Sequence, residues 1–268
     1  MSDALFAVTD KLVFISGGTR GLGRALAEGF ACRGATVVIS GRDETIARRA
    51  ASEIAETAKG RCFGVSCDVG DAAQIQPAVD RILADHGRID VLINVAGVNR
   101  RMAAEKITAA DFDYVLGINL RGAFLVSQAV GRHMLTRGTG SQINITSLNN
   151  HAPLHWMVPY AASKAAVGQM TKALAMEWGP RGVRVNAIAP GFILSDFNRS
   201  IWANEAMQAW GRANTPLVRL GMPEDLIGTA VFLAAAASAF LTGQIIYVDG
   251  GFTAGIKWPI EQAMPASS

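Results

Sequence analysis

Short runs of β-branched and aliphatic residues alternate along the chain with longer stretches whose apolar positions recur every three to four residues. The runs are KLVFIS (11–16), ATVVIS (35–40), RCFGVS (61–66), IDVLIN (89–94), SQINIT (141–146), VRVNAIA (183–189) and QIIYV (244–248). They are apolar on successive positions, which predicts strands buried on both faces. Between them, segments 21–33, 44–59, 71–86, 108–137, 158–179 and 223–236 carry the period of amphipathic helices. Strands alternating with helices predict right-handed crossovers and an α/β, doubly wound, seven-stranded parallel sheet with helices on both faces. No linker, repeat or low-complexity block interrupts the pattern, so residues 1–268 are expected to form one domain. Residues 192–222 alone break the rhythm. With Trp202 and Trp210 they are expected to form a helical lid over a substrate pocket, simple packing of both rings being the alternative.

Composition narrows the classes. Half of the 268 residues are hydrophobic, enough for a large core. Charged residues make up 18%, the net charge is +3, and no lysine or arginine run occurs, which argues against a nucleic-acid partner. Cys32, Cys62 and Cys67 form no CxxC pair and are expected to be small buried hydrophobes. Neither a basic segment leading into an apolar core nor a long uninterrupted apolar stretch is present, so the expectation is a cytoplasmic protein without a membrane partner.

The first strand runs into SGGTRGLGRALAEGF, where Gly17, Gly21 and Gly23 punctuate a strand–helix junction. Glycines there let the backbone approach a pyrophosphate resting on the helix N-terminus, which predicts a Rossmann-type dinucleotide site that also includes Thr19, Arg20 and Leu22. At the end of the second strand, VVISGRDE places Gly41 where an acid would hold a ribose 2′-hydroxyl, followed by Arg42. Arg20 and Arg42 suit a 2′-phosphate and predict NADP(H) over NAD(H). A solvated Arg42 with Asp43 turned inward is the alternative. Asp68 and Val69, past the third strand, are expected to meet the adenine; turn capping by Asp68 is equally open.

In VPYAASKAAV (158–167), Tyr160 and Lys164 lie on one helical face. A phenol ordinarily titrates near 10. An ammonium about 5 Å away at an effective dielectric near 20 contributes roughly 3 kcal/mol, about two pKa units, which predicts a Tyr160 phenol lowered toward neutrality.

The glycine loop, NVAG (94–97), Asn119 in GINLRG, Ser147 and Tyr160-x-x-x-Lys164 together resemble the classical short-chain dehydrogenase/reductase family, in order and spacing from about residue 10 to 252. Ser16 stands where the family usually has threonine, and Val95 where it has a second asparagine; both positions brace strand ends. The resemblance implies catalysis by Asn119, Ser147, Tyr160 and Lys164. Tyr160 would exchange the proton and Ser147 hold the substrate oxygen. Lys164 would also bind the nicotinamide ribose, and Asn119 would anchor a water chain. It further implies cofactor contacts at Asn94, Ala96, Gly97, Pro190, Gly191, Ile193 and Ser195, and a homotetramer.

Substrate choice is expected in the loops beyond the strand ends. Arg100 and Arg101 follow NVAG, and one of them facing inward would bind a carboxylate, a surface pair being the alternative. The loop SLNNHAPLHWMVPY supplies Asn149, Asn150, His151, His155 and Trp156. Pro153 between the two histidines and the lack of a third ligand argue against a metal. Lys257 and Trp258 are expected near a neighbouring subunit's site. VNRR, SQAVGRHM, VPYAASK and YVDGGFTAG resemble the gluconate 5-dehydrogenase branch, which implies a small polar substrate, a sugar acid or polyol oxidised reversibly at a secondary alcohol. The alternatives are a 3-oxoacyl-thioester (acyl-carrier-protein) reductase and, more remotely, a non-catalytic cofactor-sensing scaffold.

Overall fold

Along β1 (Leu12–Ser16), Leu12 and Phe14 pack on one face of a sheet and Val13 and Ile15 on the other, the two-residue period of a strand covered on both sides. Residues 4–256 are described by the computed structural model. The other strands are β2 (Thr36–Gly41), β3 (Arg61–Ser66), β4 (Val91–Asn94), β5 (Gly140–Ile145), β6 (Val183–Pro190) and β7 (Ile245–Val248). They form one parallel sheet of seven in the order β3-β2-β1-β4-β5-β6-β7. Helices α1 (Gly21–Ala31), α2 (Glu44–Ala58) and α9 (Ile227–Ala234) cover one face through Leu26, Phe30, Ile54 and Leu233. Helices α3 (Ala72–His86), α5 (Ala123–Arg137) and α6 (Val158–Trp178) cover the other through Ile82, Val130, Met134 and Leu174.

The chain winds outward through β2 and β3, then returns to lay β4 against the free side of β1. Beyond that pair the strands part. The Ser16 carbonyl accepts hydrogen bonds from both Val95 N (3.0 Å) and Ala96 N (2.9 Å), which turns the chain off β4 and opens a crevice at the carboxyl ends.

Two expectations are revised, and a third falls outside the described residues. The helix expected over 108–137 is interrupted: α4 (Ala109–Leu116) passes through a π-helical segment, Gly117–Gly122, into α5. Glycine at 122 is required by contact, since a Cβ there would lie 2.6 Å from the Val69 carbonyl oxygen. The wider turn directs Asn119 inward, where it is 1% exposed. Cys32 is exposed at the end of α1, although Cys62 and Cys67 are buried. The expected tail is described only as far as Ile256, so Lys257 and Trp258 lie outside the described residues. The lid contains α7 (Arg199–Trp202) and α8 (Glu205–Asn214). Its ends meet in a bridge between Ile193 and Gly221. Among the described residues, no helix is long and apolar enough to cross a membrane.

A buried polar chain ties the second half of the sheet to α6. Asn94 Nδ2 donates to Ser127 Oγ (2.8 Å) and Asn144 Oδ1 (3.0 Å). Asn144 Nδ2 donates to Thr171 Oγ1 (3.0 Å), which donates to the Val167 carbonyl. Asn144→Leu preserves volume but strands both neighbours, so we expect a loss of about 1–3 kcal/mol, read as a lower urea midpoint at unchanged slope.

Candidate active site

One cleft of about 880 Å³ follows the carboxyl ends of the strands, from Arg20 and Arg42 at one end to Trp202 and Trp210 at the other. Its floor at the β1–α1 turn is backbone packed on backbone. A Cβ at Gly17 would lie 2.8 Å from Ala96 N and Cα, and one at Gly23 would lie 2.1 Å from the Gly17 carbonyl oxygen. Gly21, at φ +54, faces Ser195 across open space, where a Cβ would still be 3.9 Å away. Arg20 occupies the N-cap of α1 without a side-chain cap, and the first turn holds no acid. The leading N–H groups are therefore open to an anion such as a pyrophosphate. Thr19, Leu22, Ala96, Gly97, Pro190, Gly191, Ile193 and Ser195 line the same cleft. Asn198 fixes the last of these: its Oδ1 accepts from Ser195 N (3.1 Å) and its Nδ2 donates to the Ile193 carbonyl (2.8 Å). Asn94 does not line the cleft; its Nδ2 donates into the buried chain between β4, β5 and α5, while its Oδ1 is buried without a partner among the described residues.

At the end of β2 the carboxylate question resolves on contacts. A Cβ at Gly41 would lie 2.6 Å from Thr19 Cγ2, so an acid at that position collides with the glycine loop. Asp43 caps α2, its Oδ1 accepting from Ile46 N at 2.8 Å, and it also lines the cleft next to Arg42. Arg20 and Arg42 line the cleft, and neither has a carboxylate partner among the described residues. Two unpaired guanidiniums facing a cavity fit a phosphate. Asp68 makes the turn, accepting from Gly70 N (2.9 Å), and also lines the cleft beside Val69.

At the other end the two arginines separate. Arg100 turns out, paired with Asp111 (3.0 Å) and lying over the Tyr114 ring, so it is withdrawn as a substrate residue. Arg101 turns in, 5.7 Å over the Phe197 ring, with no carboxylate beside it. Asn150 and His151 face β7, where Asn150 Nδ2 donates to the Tyr247 hydroxyl. His155 lines the cleft. Trp156 is 56% exposed, stacks on the outer side of His155 and is not among the lining residues. Trp202 is buried against Phe192 and does line the cleft, as do Leu154, Phe197, Met207 and Trp210. Of these last four, Trp210 was expected with the lid, whereas Leu154, Phe197 and Met207 had no distinguishing signal in the sequence. Among the described residues no group of three His, Cys, Asp or Glu side chains could hold a metal.

Between the two ends lie the residues of α6. Lys164 is 4% exposed, its Nζ donates to the Ile145 carbonyl at 2.7 Å, and it sits 5.7 Å from the centre of the Tyr160 ring. Ser147, just past β5, lies near enough to the Tyr160 phenol to favour its charged form. Asn119 Oδ1 accepts from Val98 N (2.8 Å), and its Nδ2 donates to the Val98 carbonyl (2.9 Å) and to Ser163 Oγ (3.0 Å). Both amide hydrogens are spent, which leaves Asn119 only an acceptor lone pair for a water.

A family model described as Enoyl-(Acyl carrier protein) reductase, of the short-chain dehydrogenase/reductase family, matches residues 17–253. The chain belongs to the short-chain dehydrogenase/reductase family. It is similar to a gluconate 5-dehydrogenase of Gluconobacter oxydans (strain 621H), 37% identical over 94% of this chain and 98% of that one. It is 38% identical to a D-threitol dehydrogenase of Mycolicibacterium smegmatis (strain ATCC 700084 / mc(2)155), over 92% and 95%. Its fold superposes with a TM-score of 0.91 on a gluconate 5-dehydrogenase from Burkholderia cenocepacia J2315, crystallised with NADP and tartrate, at 37% identity over 94% of this chain and 99% of that one.

In this short-chain dehydrogenase/reductase, burial rather than pairing governs the α6 side chains. The Tyr160 phenol lies above its ordinary value: burial raises it, and the Ser147 hydroxyl and the Arg101 charge only partly offset that. The expected lowering by Lys164 is therefore corrected. The Lys164 ammonium points at the Ile145 carbonyl, and burial pushes its own pKa down to about 8. A folded pKa near 8 against an ordinary 10.5 means that the unfolded chain binds more protons between those values, so stability rises with pH across that window. Lys164→Met should therefore be about 2 kcal/mol more stable than the parent at pH 7, after allowance for the lost hydrogen bond. The gap should stay constant below pH 8 and shrink from there to 10.5, as read by denaturant unfolding at stepped pH.

Proposed function

We propose that this chain transfers a hydride between NADP(H) and a secondary alcohol or ketone of a sugar acid or polyol. The observation that carries the reading is the single cleft joining unpaired Arg20 and Arg42, the uncapped start of α1, the Ser147–Tyr160–Lys164 group and Arg101. Arg20 and Arg42 grip the 2′-phosphate, and the N–H groups of α1 hold the pyrophosphate. When bound, the nicotinamide supplies or accepts the hydride. Ser147 Oγ holds the substrate oxygen, and Tyr160 Oη gives it a proton or takes one from it. Lys164 orients the nicotinamide ribose. Arg101 takes a carboxylate, and the lid aromatics Phe192, Trp202 and Trp210 exclude water. The named relatives and the NADP-bound neighbour support the substrate class and the cofactor. A homotetramer is the assembly the family resemblance implies; light scattering reads it directly.

One observation favours a second reading. Leu154, Met157, Ile201, Met207 and Trp210 give the lid side of the cleft an apolar wall, which suits the chain of a 3-oxoacyl thioester. Rates with NADPH and NADH against sugar acids, polyols, keto acids and a short 3-oxoacyl thioester separate the two. Strong turnover of 5-ketogluconate supports the first reading, and turnover confined to the thioester overturns its substrate.

Tyr160→Phe should retain cofactor affinity and lose roughly 10²–10⁴-fold in kcat; near-normal rates would end the proton role. Arg42→Asp should move the NADPH/NADH ratio of kcat/KM toward NADH by about ten- to a hundredfold, the worth of one charge-assisted contact. Arg101→Ala should raise KM for an acidic substrate by about tenfold or more, on the same scale, while Arg100→Ala leaves it near the parent value.

A further inference from the structure

We infer that Asn149 is a positioning residue that forces Ser147 to act as a hydrogen-bond donor. The inference rests on the catalytic reading above and deepens it. Ser147 Oγ accepts from Asn149 N at 3.2 Å and from Asn149 Nδ2 at 3.1 Å. A serine hydroxyl has one hydrogen and two lone pairs. With both lone pairs engaged by Asn149, its hydrogen is left for another acceptor, and the Tyr160 phenol is a neighbour. The amide cannot flip without loss, because Asn149 Oδ1 accepts from Leu154 N at 2.9 Å and only the opposite atom can donate to Ser147.

Asn149 is 5% exposed, and both ends of its amide are occupied. Its Nδ2 keeps one hydrogen that these bonds leave unused, and the residue lines the cleft; the bonds it does make set its amide against Ser147 and Leu154. A substrate oxygen that displaces the phenol as acceptor meets an O–H already oriented toward it. A donor aimed in advance at an oxygen that gains negative charge during hydride transfer lowers the barrier without reorganising.

Asn149→Asp tests this while keeping size and the Leu154 contact. The new carboxylate only accepts, so Ser147 turns its hydrogen back toward residue 149. With NADPH and whichever of 5-ketogluconate or a short 3-oxoacyl thioester the protein turns over, kcat should fall on the order of a hundredfold, as for loss of one oxyanion donor, with KM within a few-fold. The decisive measurement is the cycle with Ser147→Ala: on that background Asn149→Asp should change kcat by less than about twofold, because the two act through one hydrogen bond. Equal losses in both backgrounds would mean that Asn149 merely holds its loop, and would overturn the inference. A loss carried by KM would place Asn149 on the substrate and overturn it equally. Asn149→Ala guards against misfolding: the Asn149 N–H still donates, so its kcat should fall less than that of Asn149→Asp. A steeper fall for the alanine variant would refute the inverted hydroxyl. Failure of the catalytic reading itself shows separately, as Tyr160→Phe with near-parental rates.

Discussion

The crevice depends on one oxygen. By accepting from two successive N–H groups, at Val95 and Ala96, the Ser16 carbonyl stops β4 from continuing alongside β1. The same turn lays Ala96 against Gly17, at a distance that excludes any side chain. A sheet whose strand order reverses has to part somewhere; here the parting is held by backbone bonds, so it does not rely on the identity of a side chain at position 95. Everything that lines the cleft hangs from strand ends arranged around that point.

Chemistry then loads this frame with groups that the fold alone would not choose. Lys164 is a buried cation whose only hydrogen bond among the described residues is to the Ile145 carbonyl, and Tyr160 is a phenol held above its ordinary pKa. Each costs free energy in the cofactor-free protein and would be replaced by an apolar residue in a chain selected for stability alone. Their retention in the middle of a cavity is the physical mark of a site built to move a proton.

The strands were legible because burial on both faces leaves continuous apolar runs, and the glycine loop because close backbone contact excludes other residues. The π-helical segment was not. Its extra residue per turn barely perturbs the apolar period, and the contact that requires glycine at its end is with the Val69 carbonyl, some fifty positions upstream. Arg100 and Arg101 looked equivalent since a loop has no period; Asp111 and Tyr114 decide which of the two turns outward. Asn149, His155 and Trp156 read alike as polar or aromatic loop residues, yet only contacts with Ser147 and Leu154 reveal that the asparagine braces the Ser147 hydroxyl. The phenol's acidity was misjudged for a related reason. Sequence spacing gives the distance between two charges, whereas desolvation belongs to the folded surroundings.

The contact between Gly41 and Thr19 sets a barrier in sequence space. A 2′-hydroxyl reader at position 41 is blocked until Thr19 has made room, and shrinking Thr19 first confers no gain while two arginines still face the cleft. Any lineage changing its cofactor by that route has to cross an intermediate that serves neither dinucleotide well. The preference is thus guarded by a steric neighbour as much as by the charges that express it, and it should drift more slowly than the loops that select the substrate.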